Sequence, residues 1–257
     1  MLKSIDIQIL TEIAETAGDA IMEIYQQDFE VETKADKSPL TSADKASNQV
    51  IVEGLQKHFP DIPIISEETK LLSYDERKSW EYCWVVDPLD GTKEFIKKNG
   101  EFTVNIALVH NGESVLGVIY IPVKKQMYYA KKGMGAFKVE DGETTQIHTT
   151  AIEPNKPVKV FISRSHLNED TQNYVDELKK KYTQIEMVSA GSSLKFTLIA
   201  EGEAHIYPRF APTMEWDTAA GHIIAEAAGA TVTKQPEGVP LRYNRENLLN
   251  PYFLVTC

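Results

Sequence analysis

Ile5, Ile9, Ile13, Ala17, Ile21 and Ile24 recur at helical spacing, which predicts one long amphipathic helix over residues 5–24 with Ser4 placed to cap its start. A second helix is expected from near Ser42 to His58, with Ala46, Val50 and Leu55 inward, and Pro60 bars its continuation. Shorter apolar runs read as strands: Ile62-Pro63-Ile64-Ile65 delivers Ser66-Glu67-Glu68 at its end, and Tyr82-Cys83-Trp84-Val85-Val86 delivers Asp87. From Thr103 to about His148, strand-length runs are separated by the turn signals Asn111-Gly112, Gly133, Gly135 and Asp141-Gly142, which predicts an antiparallel block. Beyond about residue 157 the pattern alternates: strands over 158–163, 185–189, 204–207 and 253–255, helices near 169–181, from Ser192 and after Trp216-Asp217. That alternation predicts a layered α/β half.

No internal repeat, low-complexity tract or long linker interrupts the chain, so an α+β part (1–152) and an α/β part (153–257) are expected to pack closely with the site between them. A chain of 257 residues that is 42% hydrophobic can bury a substantial core. No stretch approaches the roughly 20 continuous apolar residues of a membrane span, and the amphipathic pattern begins at once after Met1. The expectation is a soluble, unprocessed, cytoplasmic protein. Two cysteines, Cys83 within an apolar run and Cys257 at the last position, exclude a disulfide framework. The net charge of -11 argues against binding a nucleic-acid polymer, which needs clustered Lys and Arg. A small phosphorylated ligand stays compatible with that charge if carboxylates first bind divalent cations, which reverse the local field.

The strongest chemical signal is Trp84-Val85-Val86-Asp87-Pro88-Leu89-Asp90-Gly91-Thr92, an apolar strand ending in two carboxylates three positions apart. Pro88 and Gly91 predict a tight turn that can aim both Asp side chains, and the Leu89 carbonyl between them, at one point. Hard cations such as Mg²⁺ take oxygen ligands of this kind. The bland alternative is an ordinary surface turn. Each further acid has its own structural alternative: Glu67 and Glu68 as a solvated rim, Asp217 as an N-cap, Asp44 as a first-turn acid facing the helix dipole. Jointly, those alternatives require five carboxylates at element ends to coincide by chance.

Pro39-Leu40-Thr41-Ser42-Ala43-Asp44, Ser66-Glu67-Glu68, Asp87-Pro88-Leu89-Asp90-Gly91-Thr92 and Trp216-Asp217-Thr218-Ala219-Ala220-Gly221, in this order along nearly the whole chain, resemble the inositol monophosphatase superfamily of lithium-sensitive, magnesium-dependent phosphatases. The resemblance implies a layered αβαβα sugar-phosphatase fold, with most metal ligands in the N-terminal part and the site completed by the C-terminal part. It implies that Glu67, Asp87 and the Leu89 carbonyl hold one Mg²⁺, that Asp87, Asp90 and Asp217 hold another, and that a third, weaker ion sits near Glu67. Asp44, Thr92 and Glu67 would be the catalytic residues, Asp44 and Thr92 activating the attacking water. Metal-activated water would displace the leaving oxygen directly, with no phosphoenzyme.

Substrate choice has to come from outside this shared core. Lys93-Glu94-Phe95, Ala190-Gly191-Ser192-Ser193-Leu194-Lys195-Phe196, Tyr207-Pro208-Arg209 and Ser66 before the paired Glu resemble the 3′(2′),5′-bisphosphate nucleotidase branch, the CysQ type of bacteria, whose setting is sulfur assimilation. That branch implies hydrolysis of adenosine 3′,5′-bisphosphate to AMP and phosphate, with Gly91, Thr92, His166, Gly191, Ser192, Lys195, Arg209 and Asp217 on the substrate. A second, unreacting phosphate needs a cationic holder. Lys195, after Gly191-Ser192-Ser193 at a helix start, combines N–H groups, hydroxyls and an ammonium, and Arg209 and Arg164-Ser165-His166 could complete the pocket. The bland readings are a solvated lysine, a surface arginine and a loop histidine. Two other functions remain: an inositol or sugar monophosphate phosphatase, and a noncatalytic metal- or phosphate-binding protein, the latter opposed by the intact set of acids and Thr92. Oligomeric state stays open, a homodimer included.

Overall fold

The computed structural model describes residues 2–27, 31–33, 39–162 and 168–257. Its first helix, α1 (Ile7–Tyr25), starts two residues later than the periodicity suggests. Asp6 rather than Ser4 is the cap: its carboxylate accepts the Gln8 N–H at 3.0 Å, and Leu2–Ser4 forms a separate 3₁₀ turn. A carboxylate satisfies a free N–H and complements the helix dipole together, which a hydroxyl cannot. Strands β1 (Val31–Thr33) and β2 (Pro39–Thr41) form a small antiparallel ribbon leading into α2 (Ser42–His58). The buried stripe of α2 is Ala43, Asp44, Ser47, Ile51 and Leu55, while Ala46 and Val50, expected inward, lie half-buried beside it. Two polar residues rotate the helix: Ser47 donates to the Pro88 carbonyl at 2.7 Å, and Asp44 faces Thr92.

There follow β3 (Ile64–Ser66), α3 (Tyr74–Arg77), β4 (Tyr82–Asp90), α4 (Thr92–Ile96) and the meander β5 (Thr103–His110), β6 (Glu113–Ile121), β7 (Gln126–Lys131), β8 (Gly135–Glu140) and β9 (Glu143–Ile147). The seven strands β3 to β9 stand in sequence order in one sheet, parallel between β3 and β4 and antiparallel elsewhere. Both faces are covered, so its central strands are apolar at nearly every position. On β4, Trp84 and Val86 join the core under α1 and α2, while Cys83 and Val85 join the core on the opposite face.

The rest of the chain gives β10 (Val158–Phe161), α5 (Glu169–Lys181), β11 (Ile185–Val188), α6 (Leu194–Ala200), β12 (Ile206–Arg209), α7 (Ala219–Ala228), β13 (Thr231–Lys234) and β14 (Phe253–Thr256). A five-stranded mixed sheet runs β11-β10-β12-β14-β13. The strand expected at 204–207 is shifted by two residues, and the helix expected from Ser192 begins at Leu194 because Ser192 is in the left-handed region at φ 51°. Helices α6 and α7 are sandwiched between the sheets, and α5 covers the outer face through Leu178 against Val158, Val160 and Ile206. The order is αβαβα. Among the described residues no helix is long and apolar enough to cross a membrane.

Helix α7 lies unusually close to the large sheet at Gly117. A Cβ there would sit 2.5 Å from the Ala220 carbonyl oxygen, so only glycine permits the approach, and Ser114 closes it by donating to the Ala219 carbonyl at 2.7 Å. This close seating places the loop before α7, which carries Asp217, against the end of the sheet that carries Asp87.

Candidate active site

The acidic constellation is built first by sheet register. Ser66 pairs with Val86 in the parallel β3–β4 ladder, and the Glu67 N–H donates to the Val86 carbonyl at 3.3 Å, so Glu67 stands beside Asp87. The strand does not stop at Asp87 as the Pro and Gly signals suggested. It continues to Asp90, and between Asp87 (opposite Asn105) and Asp90 (opposite Thr103) β4 holds one residue more than β5. In a regular strand, residues three apart point to opposite faces. The bulge cancels that alternation and lets both carboxylates address one side.

Gly91 follows at φ 97° as the N-cap position of α4, where a Cβ would lie 3.0 Å from the Glu101 carbonyl and 3.3 Å from Ser192 Cβ. Both the backbone conformation and the space require glycine. The turn presents the Thr92 hydroxyl, which donates to Asp44 Oδ1 at 3.1 Å and lies 3.4 Å from the Leu89 carbonyl. Asp44 is buried, and its other oxygen accepts the Thr41 N–H and hydroxyl, both at 2.7 Å, in a capping box. The first-turn reading of Asp44 therefore holds, and the same side chain also faces Thr92.

Asp217 precedes the N-cap of α7, which is Thr218, so it is not itself the cap. Its Oδ2 accepts the Met214 N–H at 2.9 Å, closing a turn over 214–217. Oxygens of Glu67, Asp87 and Asp217 lie within 4.8 Å of one another, a group able to hold a metal ion; Glu68 is half-buried outside it. Burial, and then the charges of Glu67, Asp90, Asp217 and Asp44, hold the Asp87 carboxyl well above the ordinary range. Burial and then the Asp90 charge push Asp217 up to about 8. Burial raises Asp90 as well, opposed by the Ser192 hydroxyl and by Lys195. Carboxylates crowded against their own charge are what a divalent cation relieves, so these residues fit a metal centre.

A cleft of about 550 Å³ opens beside them, lined among others by Asp90, Asp217, Lys93, Lys195, Tyr207 and Arg209. The Lys195 ammonium donates to the carbonyls of Ala190 at 3.0 Å and Ser192 at 2.7 Å and lies 5.4 Å from the Tyr207 ring centroid. Burial pushes its pKa down to about 8, against the opposing pull of Asp90. Arg209 donates through Nη2 to the Pro212 carbonyl at 2.8 Å, and its buried Nε has no acceptor among the described residues. Gly191 and Ser192 line the cleft, but their donors are already engaged: the Gly191 N–H with Glu101 at 2.9 Å and the Ser192 hydroxyl with Asp90 at 2.8 Å. These bonds fasten the loop before Lys195 to Glu101 and to Asp90 of the large sheet. His166, with Arg164 and Ser165, lies outside the described residues.

Several residues of the site carried no reading in the sequence. Thr103 and Asn105, buried on β5, bind the hydroxyls of Ser192 and Ser193 at 2.6 to 2.8 Å. Their signal was two polar residues at alternate positions within an apolar run. Glu215, wholly buried, accepts the N–H groups of Asn244 at 2.5 Å and Arg245 at 3.2 Å and pairs with the Arg245 guanidinium at 3.1 Å, and burial pushes its pKa up to about 7. No local pattern announces that arrangement.

Comparison with known proteins agrees with this geometry. The 3′(2′),5′-bisphosphate nucleotidase CysQ of Salmonella typhimurium is 51% identical over 248 residues, covering 95% of this chain and 97% of that protein, and its Escherichia coli K12 counterpart is 49% identical with the same coverage. The crystal structure of CysQ from Bacteroides thetaiotaomicron, a bacterial member of the inositol monophosphatase family, superposes with a TM-score of 0.85 at 46% identity over 97% of this chain and 96% of that one. The inositol monophosphatase from Anabaena superposes at 0.74 with 26% identity, over 97% and 89% of the two chains. Residues 3–251 match the sequence model of that family, so the αβαβα order, the acidic cluster and the relatives converge: this chain belongs to the inositol monophosphatase family.

Proposed function

We propose that this chain is a magnesium-dependent phosphomonoesterase that hydrolyses adenosine 3′,5′-bisphosphate to AMP and phosphate. The observation that carries the reading is the placement of Asp90 and Asp217 on the same cleft as Lys195 and Arg209. A monophosphate needs only the acidic half. A bisphosphate needs both, and the relatives at about half identity are named 3′(2′),5′-bisphosphate nucleotidases.

In this reading Glu67, Asp87 and the Leu89 carbonyl would hold one Mg²⁺, Asp87, Asp90 and Asp217 would hold a second, and a third, weaker ion would sit near Glu67. Bound there, the ions supply neutralisation of the phosphoryl oxygens and of the leaving oxygen. The chain's own residues do the rest. Thr41 occupies one oxygen of Asp44, leaving the other to accept the Thr92 hydroxyl. With its proton committed to Asp44, the Thr92 oxygen offers lone pairs to a water, orients it in line, and takes its proton while passing its own to Asp44. Lys195 spends two of its three donors on carbonyls, and the third, with the Arg209 guanidinium on the same cleft wall, would go to the unreacting phosphate. Residues 1–152 thus bring most of the metal ligands and the water-activating pair, and 153–257 bring Asp217 and the phosphate holder.

Phosphate release from adenosine 3′,5′-bisphosphate, measured beside inositol 1-phosphate with Mg²⁺ and then with excess chelator, tests this. The nucleotide should be the far better substrate and chelation should abolish turnover. Faster release from inositol 1-phosphate would refute the nucleotide assignment, and undiminished turnover in chelator would refute the metal assignment.

A further inference from the structure

We infer that Asn250 is a positioning residue for the metal centre: its buried side-chain amide clasps the loop on both sides of Asp217 and fixes where that carboxylate points. The inference rests on the metal reading above. Asn250 is 6% exposed and lies on the segment that enters β14. Its Nδ2 is 2.7 Å from the Met214 carbonyl, 3.0 Å from Thr218 Oγ1 and 3.3 Å from Thr213 Oγ1, and its backbone N–H donates to the Thr213 carbonyl at 2.8 Å. The amide orientation follows from its neighbours. A carbonyl can only accept and a guanidinium can only donate, so the nitrogen faces Met214 and Oδ1 faces Arg245 Nη2, 3.3 Å away.

Met214 and Thr218 are the two residues that set Asp217. Met214 donates its N–H to Asp217 Oδ2 at 2.9 Å, and Thr218 begins the helix. One amide therefore ties the Met214 carbonyl, which also accepts the Asp217 N–H at 3.2 Å and closes the turn, to the N-cap residue of the helix. Asp217 also faces the charges of Asp90 and Glu67, which push it outward. The Thr213–Met214 peptide, which carries that N–H, keeps its bond to the Asn250 backbone, but without the clasp the 214–215 peptide can turn, the Met214–Asp217 turn loosens and the loop relaxes away from the other acids. A cation then has to reassemble its own site, so affinity falls by the fraction of molecules in the competent arrangement, while the fully loaded site is unchanged.

Two variants test it: Asn250→Leu, which keeps the volume and removes both donors, and Asn250→Asp, which turns an acceptor toward the Met214 carbonyl. Mn²⁺ binding to metal-stripped protein is read from the spin-resonance signal of free ion, beside kcat at saturating Mg²⁺. Both variants should bind Mn²⁺ at least about tenfold more weakly, the loss of one buried hydrogen bond, with kcat at saturation within about threefold of the parent. Thr218→Val, which deletes the hydroxyl that accepts from Asn250 and with it the 3.2 Å bond to the Glu215 carbonyl, should weaken Mn²⁺ binding about threefold in a protein whose circular dichroism is unchanged, and it decides the matter if the Asn250 variants do not fold. Parental Mn²⁺ affinity in a folded variant, or a fall in kcat with unchanged affinity, overturns the inference. If the parent itself binds no Mn²⁺, the metal reading falls first and the inference with it.

Discussion

Replacing Lys195 separates the phosphate that reacts from the phosphate that only binds. Its ammonium is partly stripped of water, fixed by the Ala190 and Ser192 carbonyls, and lowered by burial to a pKa of about 8. A charge-assisted contact from such a group contributes roughly 1.5 to 3 kcal/mol. At about 1.4 kcal/mol per decade, its loss lowers kcat/KM on adenosine 3′,5′-bisphosphate by about 10- to 150-fold. Those two bonds also hold the Ala190–Ser192 loop and are lost in either variant, so Lys195→Met, which keeps the apolar stem that Lys195→Ala removes, separates loss of the ammonium from loss of side-chain packing.

The assay is the ratio of kcat/KM for the bisphosphate to that for adenosine 3′-monophosphate, which never makes the contact. That ratio should fall by the factor above in both variants. A depressed lysine pKa also fixes the sign of the pH effect: the ammonium is present below about 8 and lost as pH rises through it, so the parent ratio should decline across that pH and the Lys195→Met ratio should not. Equal losses on both substrates, or a decline that persists in Lys195→Met, would refute the role.

Asp217, pushed from 3.8 to about 8, makes the folded state bind more protons than the unfolded one between those values, so metal-free stability falls as pH rises through that window. Asp217→Asn should therefore melt a few degrees higher than the metal-free parent at pH 8, at roughly 2–4 °C per kcal/mol, and show no such gain near pH 4, while binding metal more weakly; a lower melting point at pH 8 would contradict the crowding argument. Thr92→Ala should lower kcat by about 10²- to 10⁴-fold with KM little changed, and Asp44→Asn should do likewise at nearly unchanged melting temperature, since its amide oxygen can still accept from Thr41; a matching loss of substrate affinity would make both residues structural. Adding Mg²⁺ to stripped protein should slow hydrogen exchange at the Met214 amide, which Asp217 accepts, and unchanged exchange would show the loop to be rigid without metal.

What was legible in the sequence is what periodicity and local chemistry encode. Apolar spacing located the long helices and the strands that deliver the acids, though not α3, α4, β1, β2 or β13, and Asp87, Asp90, Gly91 and Thr92 announced a site within nine residues. What was illegible depends on partners far along the chain. Pro88 and Gly91 mark a turn and a bulge equally well, and the choice was made by β5, with which Asp90 pairs at Thr103. The stripe of α2 was misread because its two polar members find partners at Pro88 and Thr92. The bond of the Gly191 N–H was illegible because its acceptor, Glu101, lies ninety positions away. Thr103 and Asn105 were readable in principle, because a buried polar residue at every second position of an apolar strand needs a partner, and here the partners are serines from the other sheet's half.

The site stores a repulsion that the fold has to resist. Asp87 and Asp90 sit on a strand of the large sheet, whereas Asp217 sits on the loop before α7 between the two sheets, so their mutual charge acts to lift that loop off the strand. Opposing it are contacts that do no chemistry: the close seat of Ala220 on Gly117, the Ser114 bond to Ala219, the Glu215 anchor on Arg245 and the Asn250 clasp. A cation held by these carboxylates would turn that repulsion into attraction at the point where the phosphate must be held. The same ions would therefore have two effects of one origin, neutralising the substrate and steadying the loop that carries Asp217. An acidic protein of net charge -11 can bind an anion under these terms only after its metal, because until then every charge on the acidic wall of the cleft opposes the ligand.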